Sequence, residues 1–422
     1  MHPVPTRLRF RARTAVAAVL FAVALLPAAR AAEPLKIGFS MALTGGLAPN
    51  GKSALLAMQI WEKDINAKGG LLGRPVQLVY YDDQSQPSTV PGIYTKLLDV
   101  DKCELVVGPY ATAQIAPAMP VVMQHNMAFI AVLGLAVNDA FHYQRYFSMV
   151  PSGPDAKKQF TKGFFDIAAA QTPKPQTVAI AYADQEFSHN AADGAEDNAK
   201  AIGLKTVYNK SYPPSITDFT PIIHAIQAAN PDVLLIASYP PDSVGMIRAL
   251  RETGFTPKMV GGAMVGLQAT SIKTQLGPLL NGVINYDFWL PGKTMQFPGV
   301  MDLIKRYQAQ AGAAGVDPLG YYLAPFAYAY LQVLADAVEA TKGLDQDKLA
   351  QYMHKATFAT VAGDVKFGED GEWAESRVLQ EQYQHIKGND VDQFRDPKSS
   401  VILTPSKYKD GDVIYPYAEA LK

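Results

Sequence analysis

The sequence predicts an α/β protein of two lobes, each built on a doubly wound parallel sheet. Short apolar runs rich in Val, Ile and Leu alternate along the chain with amphipathic helical stretches. The runs largely lack strict alternation of apolar and polar residues, which is typical of strands covered on both faces. A chain of about 390 residues after its first segment also exceeds the size at which one hydrophobic core keeps growing. Repeated strand and helix units therefore imply right-handed crossovers within two sheets.

Individual elements can be placed from composition, periodicity and end signals. The first helix presents an apolar face that starts at Leu55, and it ends at Gly69-Gly70. Two further helices are predicted over about 217–229 and 242–253. The predicted strands, which are rich in β-branched and other apolar residues, are 35–40, 76–81, 105–107, 128–132, 178–183, 233–237 and 282–286.

Proline and glycine clusters indicate where the lobes divide. The segment 150–154 closes the first alternating block, and Pro291-Gly292 follows the last predicted strand. We expect the chain to cross between lobes near 156, 287 and 362, which makes a three-segment hinge. The predicted first lobe comprises 32–156 and 287–362, and the predicted second lobe comprises 157–286 and 363–422.

The N-terminus has the order of a secretory signal peptide. An arginine-rich region precedes an apolar run from Ala15 to Leu26, and small residues follow at Ala29 and Ala31. A membrane anchor is disfavoured because spanning a bilayer takes about 20 apolar residues. We expect cleavage after Ala31 and a periplasmic mature protein, with residues 1–31 as the signal peptide.

Composition narrows the classes of partner and chemistry. Removing residues 1–31 takes five arginines from the 38 basic residues and none of the 39 acidic residues, so the mature chain is mildly acidic. Such a balance gives no electrostatic footprint for nucleic acid. Cys103 is the single cysteine, so no intramolecular disulfide can form, and its apolar neighbours favour a buried structural residue over a nucleophile.

Several motifs together resemble one family. They are LTGGLA at 43–48, DINAKGGLLGRPV at 64–76, YDDQ at 81–84, VGP at 107–109, GF at 254–255, AYAY at 327–330 and GDVKFGEDG at 363–371. In this order they resemble periplasmic solute-binding proteins of the branched-chain amino acid and amide (leucine-binding) ABC-transporter class. The resemblance implies a type I periplasmic binding protein fold, a small-molecule ligand captured by hinge closure, and membrane permease subunits as partners. We expect a monomer.

A carboxylate site is expected after the third strand. In an open α/β sheet, ligands lie beyond the carboxyl ends of strands, where helix N-termini favour anions. Tyr110, Ala111 and Thr112 leave a strand and start a helix. By resemblance, Thr112 takes the position whose hydroxyl holds the ligand carboxylate, although Thr also serves as a plain helix cap.

Other site positions are transferred by resemblance, and two depart from the family pattern. Leu135 stands where relatives place a hydroxyl, and Ala263 stands where they place the acid that pairs with an α-ammonium group. Burying an ammonium without a partner is costly, so the ligand need not be an amino acid and an aromatic or other hydrophobic carboxylate is expected. The remaining expected ligand-binding residues are Asn50, Leu133, Phe187, Tyr239 and Met264.

An exported enzyme and a ligand-sensing binding protein are the two alternative functional classes. An exported enzyme on the same fold lacks the nucleophile-elbow, phosphate-loop and zinc-helix motifs in this sequence. Asp82-Asp83 could be imagined as a metal or acid–base pair, but a turn that satisfies backbone donors explains it better. A ligand-sensing binding protein shares the lobes, but no signalling domain accompanies them. We expect no enzyme activity, no metal and no cofactor.

Overall fold

The computed structural model describes residues 2–4 and 32–422. Apart from residues 2–4, the predicted signal peptide lies outside the described residues. The strands are β1 Leu35–Met41, β2 Val76–Asp82, β3 Leu105–Val107, β4 Phe129–Ala131, β5 Tyr146–Ser148, β6 Thr177–Ala183, β7 Lys205–Tyr212, β8 Val233–Ser238, β9 Met259–Met264, β10 Ile284–Asp287, β11 Thr357–Thr360, β12 Gly363–Lys366, β13 Leu379–Tyr383 and β14 Ser400–Thr404.

The α-helices alternate with strands in the first 290 residues and then follow one another. They are α1 Ala48–Ala67, α2 Val90–Thr95, α3 Thr112–Gln124, α4 Asn138–Phe141, α5 Ala156–Ala169, α6 Glu186–Ala201, α7 Thr220–Ala229, α8 Pro240–Glu252, α9 Thr270–Leu276, α10 Val300–Ala314, α11 Ala324–Thr341 and α12 Gln346–Lys355. In the part of the chain that the structure describes, no helix is long and apolar enough to cross a membrane.

Two separate sheets carry the fold, as the sequence predicts. The N-terminal sheet has the order β2-β1-β3-β4-β5 and is wholly parallel. The C-terminal sheet has the order β14-β13-β10-β9-β8-β6-β7. Helices α10 and α11 pack against α1 beside the N-terminal sheet, although they come late in the chain. The chain therefore returns to the first sheet after completing most of the second.

The C-terminal sheet is not wholly parallel, which corrects the prediction in one respect. Strand β13 pairs antiparallel with both β10 and β14. These two strands come from the final segment, where charged and turn-forming residues hide the apolar pattern. An antiparallel strand at the edge of a parallel sheet is common in large α/β folds.

Five further strands are absent from the sequence prediction, namely β5, β7, β9, β11 and β12, and local reasons explain the first three. β7 is an edge strand with exposed lysines, and β5 has only three residues. β9 is interrupted by Gly261 and Gly262, which weaken a strand signal. Gly261 has φ +136°, and a Cβ there would lie 1.6 Å from the carbonyl oxygen of Ile284. The strand therefore requires glycine where it passes β10.

Two minor sequence predictions hold. Cys103 is buried, and burial raises the pKa of its thiol to about 11, which keeps it unreactive. Asp82 accepts hydrogen bonds from the backbone N–H groups of Leu43, Thr44 and Gln84, as a turn residue does. Among the described residues, no three His, Cys, Asp or Glu side chains lie close enough together to hold a metal ion.

Candidate ligand-binding site

A small cavity lies where the carboxyl ends of the two sheets face each other. It measures about 30 Å³, which holds one or two water molecules. Among the described residues that line it, none is charged. They are Tyr110, Ala111, Thr112, Leu133, Leu135, Val150, Phe160, Phe187, Tyr239, Val265, Tyr286, Phe288 and Tyr322.

Most of these side chains are positioned by the ends of strands. Tyr110 follows β3, Leu133 follows β4, and Val150 follows β5 in the N-terminal sheet. In the C-terminal sheet, Tyr239 follows β8 directly and Val265 follows β9. The cavity thus occupies the position where open α/β sheets bind ligands.

The start of α3 forms one wall of the cavity. Ala111 precedes the helix with φ +80° and ψ 143°, a conformation that costs a non-glycine residue on the order of 1–3 kcal/mol. The N–H of Ala111 donates to the carbonyl oxygen of Leu133 at 3.1 Å, which holds the loop in place. This constrained turn aims the first amide groups of α3, and the positive end of its dipole, at the cavity.

Thr112 is the first residue of α3 and not its cap. Its Oγ1 accepts a hydrogen bond from the backbone N–H of Leu135 at 3.0 Å. The helix has no side-chain cap bond, and its N-cap position is Ala111. A threonine hydroxyl that accepts one bond still has its own proton to donate. Thr112 therefore joins two loops of the site and keeps a donor for a ligand.

Four tyrosine hydroxyl groups supply most of the remaining polarity. Asn50 donates to the Tyr110 hydroxyl at 3.0 Å, and the hydroxyls of Tyr286 and Tyr322 lie 3.3 Å apart. The Tyr239 hydroxyl is buried and has no hydrogen-bond partner among the described residues. Burial raises the pKa of all four phenols, that of Tyr110 to about 12, so they remain protonated donors.

Aromatic rings pack around the cavity in mutual contact. Phe187 lies edge-on to Phe160 and to Tyr239, with ring centroids 5.5 and 5.9 Å apart. Phe288 stacks on Tyr322 at 5.8 Å. Edge-to-face and offset-stacked arrangements are the favoured geometries for aromatic pairs. A planar apolar ligand body would extend this cluster.

The structure brings seven of the ten predicted residues to the cavity. These are Tyr110, Ala111, Thr112, Leu133, Leu135, Phe187 and Tyr239. Asn50 is one step removed, because it holds the Tyr110 hydroxyl and lines a neighbouring groove.

Ala263 and Met264 do not line the cavity, contrary to their expected place around the ligand. Both belong to β9 and are fully buried, and the backbone of Met264 is bonded on both sides by the Asn285 amide. Val265, the residue directly after the strand, reaches the cavity instead. Strand β9 runs to Met264. Its carboxyl end therefore lies further along the chain than the family resemblance implied when it placed Ala263 and Met264 in the site.

Six lining residues were missed by sequence reasoning. Phe288 follows a predicted strand and could have been found by the rule that ligands meet strand ends. Val150 and Val265 follow strands that were themselves missed. Phe160 lies within α5 and Tyr322 just before α11, and no local pattern marks them as site residues. Tyr286 lies in β10 and reads as core.

No carboxylate replaces the missing ammonium partner in the cavity lining. Asp242 accepts hydrogen bonds from the Tyr212 hydroxyl at 2.7 Å and from the Tyr239 N–H at 3.0 Å. Asp287 accepts from the N–H of Phe288 at 2.7 Å. Both acids are engaged by their own neighbours and line no part of the cavity.

Two open grooves adjoin the cavity. One, of about 780 Å³, runs between the sheets and shares Tyr239 with the cavity. The other, of about 320 Å³, shares Tyr322 and includes Asn50. Tyr239 and Tyr322 therefore separate the cavity from two routes to solvent.

Two α/β sheets enclose an uncharged, aromatic cavity between their carboxyl ends. This is the architecture of a two-lobed binding protein. The family model for periplasmic binding proteins matches residues 34–380. The chain belongs to this family, which confirms the resemblance seen in the sequence.

Individual relatives are distant. Leu/Ile/Val-binding protein homolog 8 of Brucella abortus (strain 2308) is 24% identical over 366 residues, which cover 84% of this chain and 89% of the relative. The Leu/Ile/Val-binding protein of Escherichia coli (strain K12) is 24% identical over 345 residues, which cover 81% of this chain and 88% of the relative.

Solved structures share the fold at lower identity. The solute-binding protein RPA0668 of R. palustris in complex with benzoate has a TM-score of 0.72 at 17% identity, covering 90% of this chain and 98% of its own. The branched-chain amino acid transporter substrate binding protein of Streptococcus pneumoniae in complex with isoleucine has a TM-score of 0.71 at 17% identity. The match covers 88% of this chain and 100% of that protein. The fold thus accommodates both an aromatic acid and an amino acid in other chains.

Proposed function

We propose that this protein binds a carboxylic acid with an aromatic or other hydrophobic body and delivers it to the membrane subunits of an ABC importer. It does so in the periplasm as a monomer, after cleavage of residues 1–31, and returns the ligand unchanged. Membership in a family of binding proteins supports the absence of catalysis. The cavity and its strand-end residues support a ligand site.

The chemistry of the cavity lining carries the proposal. Its polar groups are neutral hydroxyls and the amide end of α3, which suit a carboxylate. An α-ammonium group would give up its water and meet no charged partner there, whereas an apolar body gains about 25 cal/mol per Å² of buried surface. The cavity thus favours an acid without an amino group.

The lobes must separate to admit such a ligand. A benzene-sized molecule needs a cavity of roughly 150 Å³, several times the space between these walls. We assign 32–156 and 287–362 to one lobe and 157–286 and 363–422 to the other. Sheet membership and the packing of α10 and α11 on α1 support this division for residues 32–341 and for β13 and β14. Opening and closing about the three crossings is a hinge motion.

The decisive experiment is calorimetry with matched acids. Mature protein is titrated with leucine, with 4-methylpentanoate, which is leucine without its amino group, and with benzoate. The proposal expects at least one of the two plain acids to bind more tightly than leucine. Micromolar or tighter binding of leucine, with neither plain acid bound, would overturn it. Recovery of a chemically altered acid would instead favour an enzyme.

A further inference from the structure

A second pocket lies at the crossings between the sheets, away from the central cavity. We call it the hinge pocket. It measures about 710 Å³ and shares no lining residue with the cavity. Its walls come from the β11–β12 hairpin, from the stretch around Phe297, from 373–377 and from 405–408.

The base of the hinge pocket is a buried cation. Arg377 is only 7% exposed, and its guanidinium lies over two aromatic rings. Its central carbon is 5.0 Å from the Phe297 ring centroid and 4.6 Å from that of Trp373. Gly363 leaves room for it, because a Cβ at that position would lie 2.6 Å from Nη1.

The guanidinium has almost no bonded partners. Of its five N–H donors, one is used among the described residues, by Nη2 toward the carbonyl oxygen of Ala362. Its Nε has no hydrogen-bond partner there, and no described carboxylate forms an ion pair with it. Burial lowers the pKa of Arg377 to about 10, and the neighbouring Tyr408 and Asp364 offset that effect only in part.

Two exposed lysines, Lys366 and Lys407, line the same pocket. Asp364 and Glu375 also line it and are exposed, so the rim carries both signs while the base carries only a positive charge. The walls beside the cation are aromatic and polar. A buried, unpaired guanidinium at the base of an open pocket is suited to a carboxylate or phosphate oxyanion.

We propose that the hinge pocket binds a small oxyanion on Arg377, and that the bound anion steadies the three crossings. Arg377 already contacts all of them. Its backbone N–H donates to the carbonyl oxygen of Pro151, near the first crossing, at 2.7 Å. Its guanidinium lies over Phe297, which follows the second crossing, and donates to the carbonyl oxygen of Ala362 at the third. An anion that pairs with Arg377 therefore acts on the hinge and not on the ligand cavity.

The test uses mature protein with inorganic phosphate or acetate as probes, against chloride at matched ionic strength. We expect a saturable rise of the thermal midpoint with phosphate, with acetate or with both. Which probe saturates identifies the oxyanion. Lys366→Ala and Lys407→Ala should each weaken the effect roughly two- to fivefold, as expected for exposed charge pairs. Lys200→Ala, an exposed residue of α6, is the matched control and should not change it.

Arg377→Gln should remove the saturable rise of the thermal midpoint. If the Arg377→Gln protein does not fold, the Lys366→Ala and Lys407→Ala proteins still test the site. Hydrogen–deuterium exchange should slow with bound anion in segments 149–154, 288–298 and 361–378. A response that does not saturate, or that the lysine variants leave unchanged, would overturn the site. Protection of the central cavity in place of the crossings would overturn the hinge assignment.

Discussion

Replacing Thr112 by valine should weaken both the fold and carboxylate binding. Valine keeps the branched shape but removes the hydroxyl. The buried N–H of Leu135 then loses its acceptor, which costs about 1–3 kcal/mol of stability. If the hydroxyl proton also bonds the ligand carboxylate, affinity falls by a further 1.5–3 kcal/mol or so, roughly 10- to 150-fold.

Two comparisons separate contact from fold in this experiment. Thr112→Ser retains the hydroxyl and should restore both stability and affinity to near the wild-type values. Calorimetry should compare the tightest carboxylate with its neutral amide, because a ligand contact weakens the acid more than the amide. Equal losses for acid and amide would show that Thr112 acts only through the Leu135 loop, and unchanged affinity for both would refute the assignment.

Three further outcomes follow from the structure. Tyr239→Phe removes a buried hydroxyl without a partner among the described residues, so the thermal midpoint of the free protein should hold or rise, and a fall would contradict the geometry. Saturating ligand should reduce the radius of gyration in solution scattering while circular dichroism stays constant; no change with a tight ligand counts against hinge closure. Burial raises the pKa of Glu372 from its usual 4.5 to about 8, so the folded protein holds a proton that the unfolded chain releases. Glu372 alone should therefore lower the unfolding free energy by about 1.4 kcal/mol per unit as pH rises from about 5 to 8, and Glu372→Gln should remove that part of the slope in chemical denaturation; identical slopes for both proteins would rule out this contribution.

The sequence was most informative where local pattern and fold agree. β1, β2, β3, β6 and β8 are central or well-paired strands, and their apolar runs predicted them to within one residue or so. The end of β3 and the start of α3 were equally clear, because a strand end beside a helix start marks a ligand site in this fold class.

Features that depend on contacts between segments far apart in the chain could not be predicted from local sequence patterns. β13 belongs to the C-terminal sheet because β10 offers an edge for antiparallel pairing, and its own sequence is rich in polar residues; β14 is apolar but pairs only with β13. The interaction of Arg377 with three separate crossings likewise involves residues more than 200 positions apart.

By itself, the sequence determined the α/β class, the family, the anion-favouring helix end and three of the seven aromatic residues in the cavity wall. Only the tertiary structure decided that Val265 and not Met264 faces the cavity, and that Asp242 and Asp287 are engaged by their own neighbours. The physical reason is that consecutive strand residues point to opposite faces, so a displacement of one residue at a strand end exchanges a wall residue for a core residue. Where a strand ends is fixed by its pairing with neighbours, which lie far away in the chain.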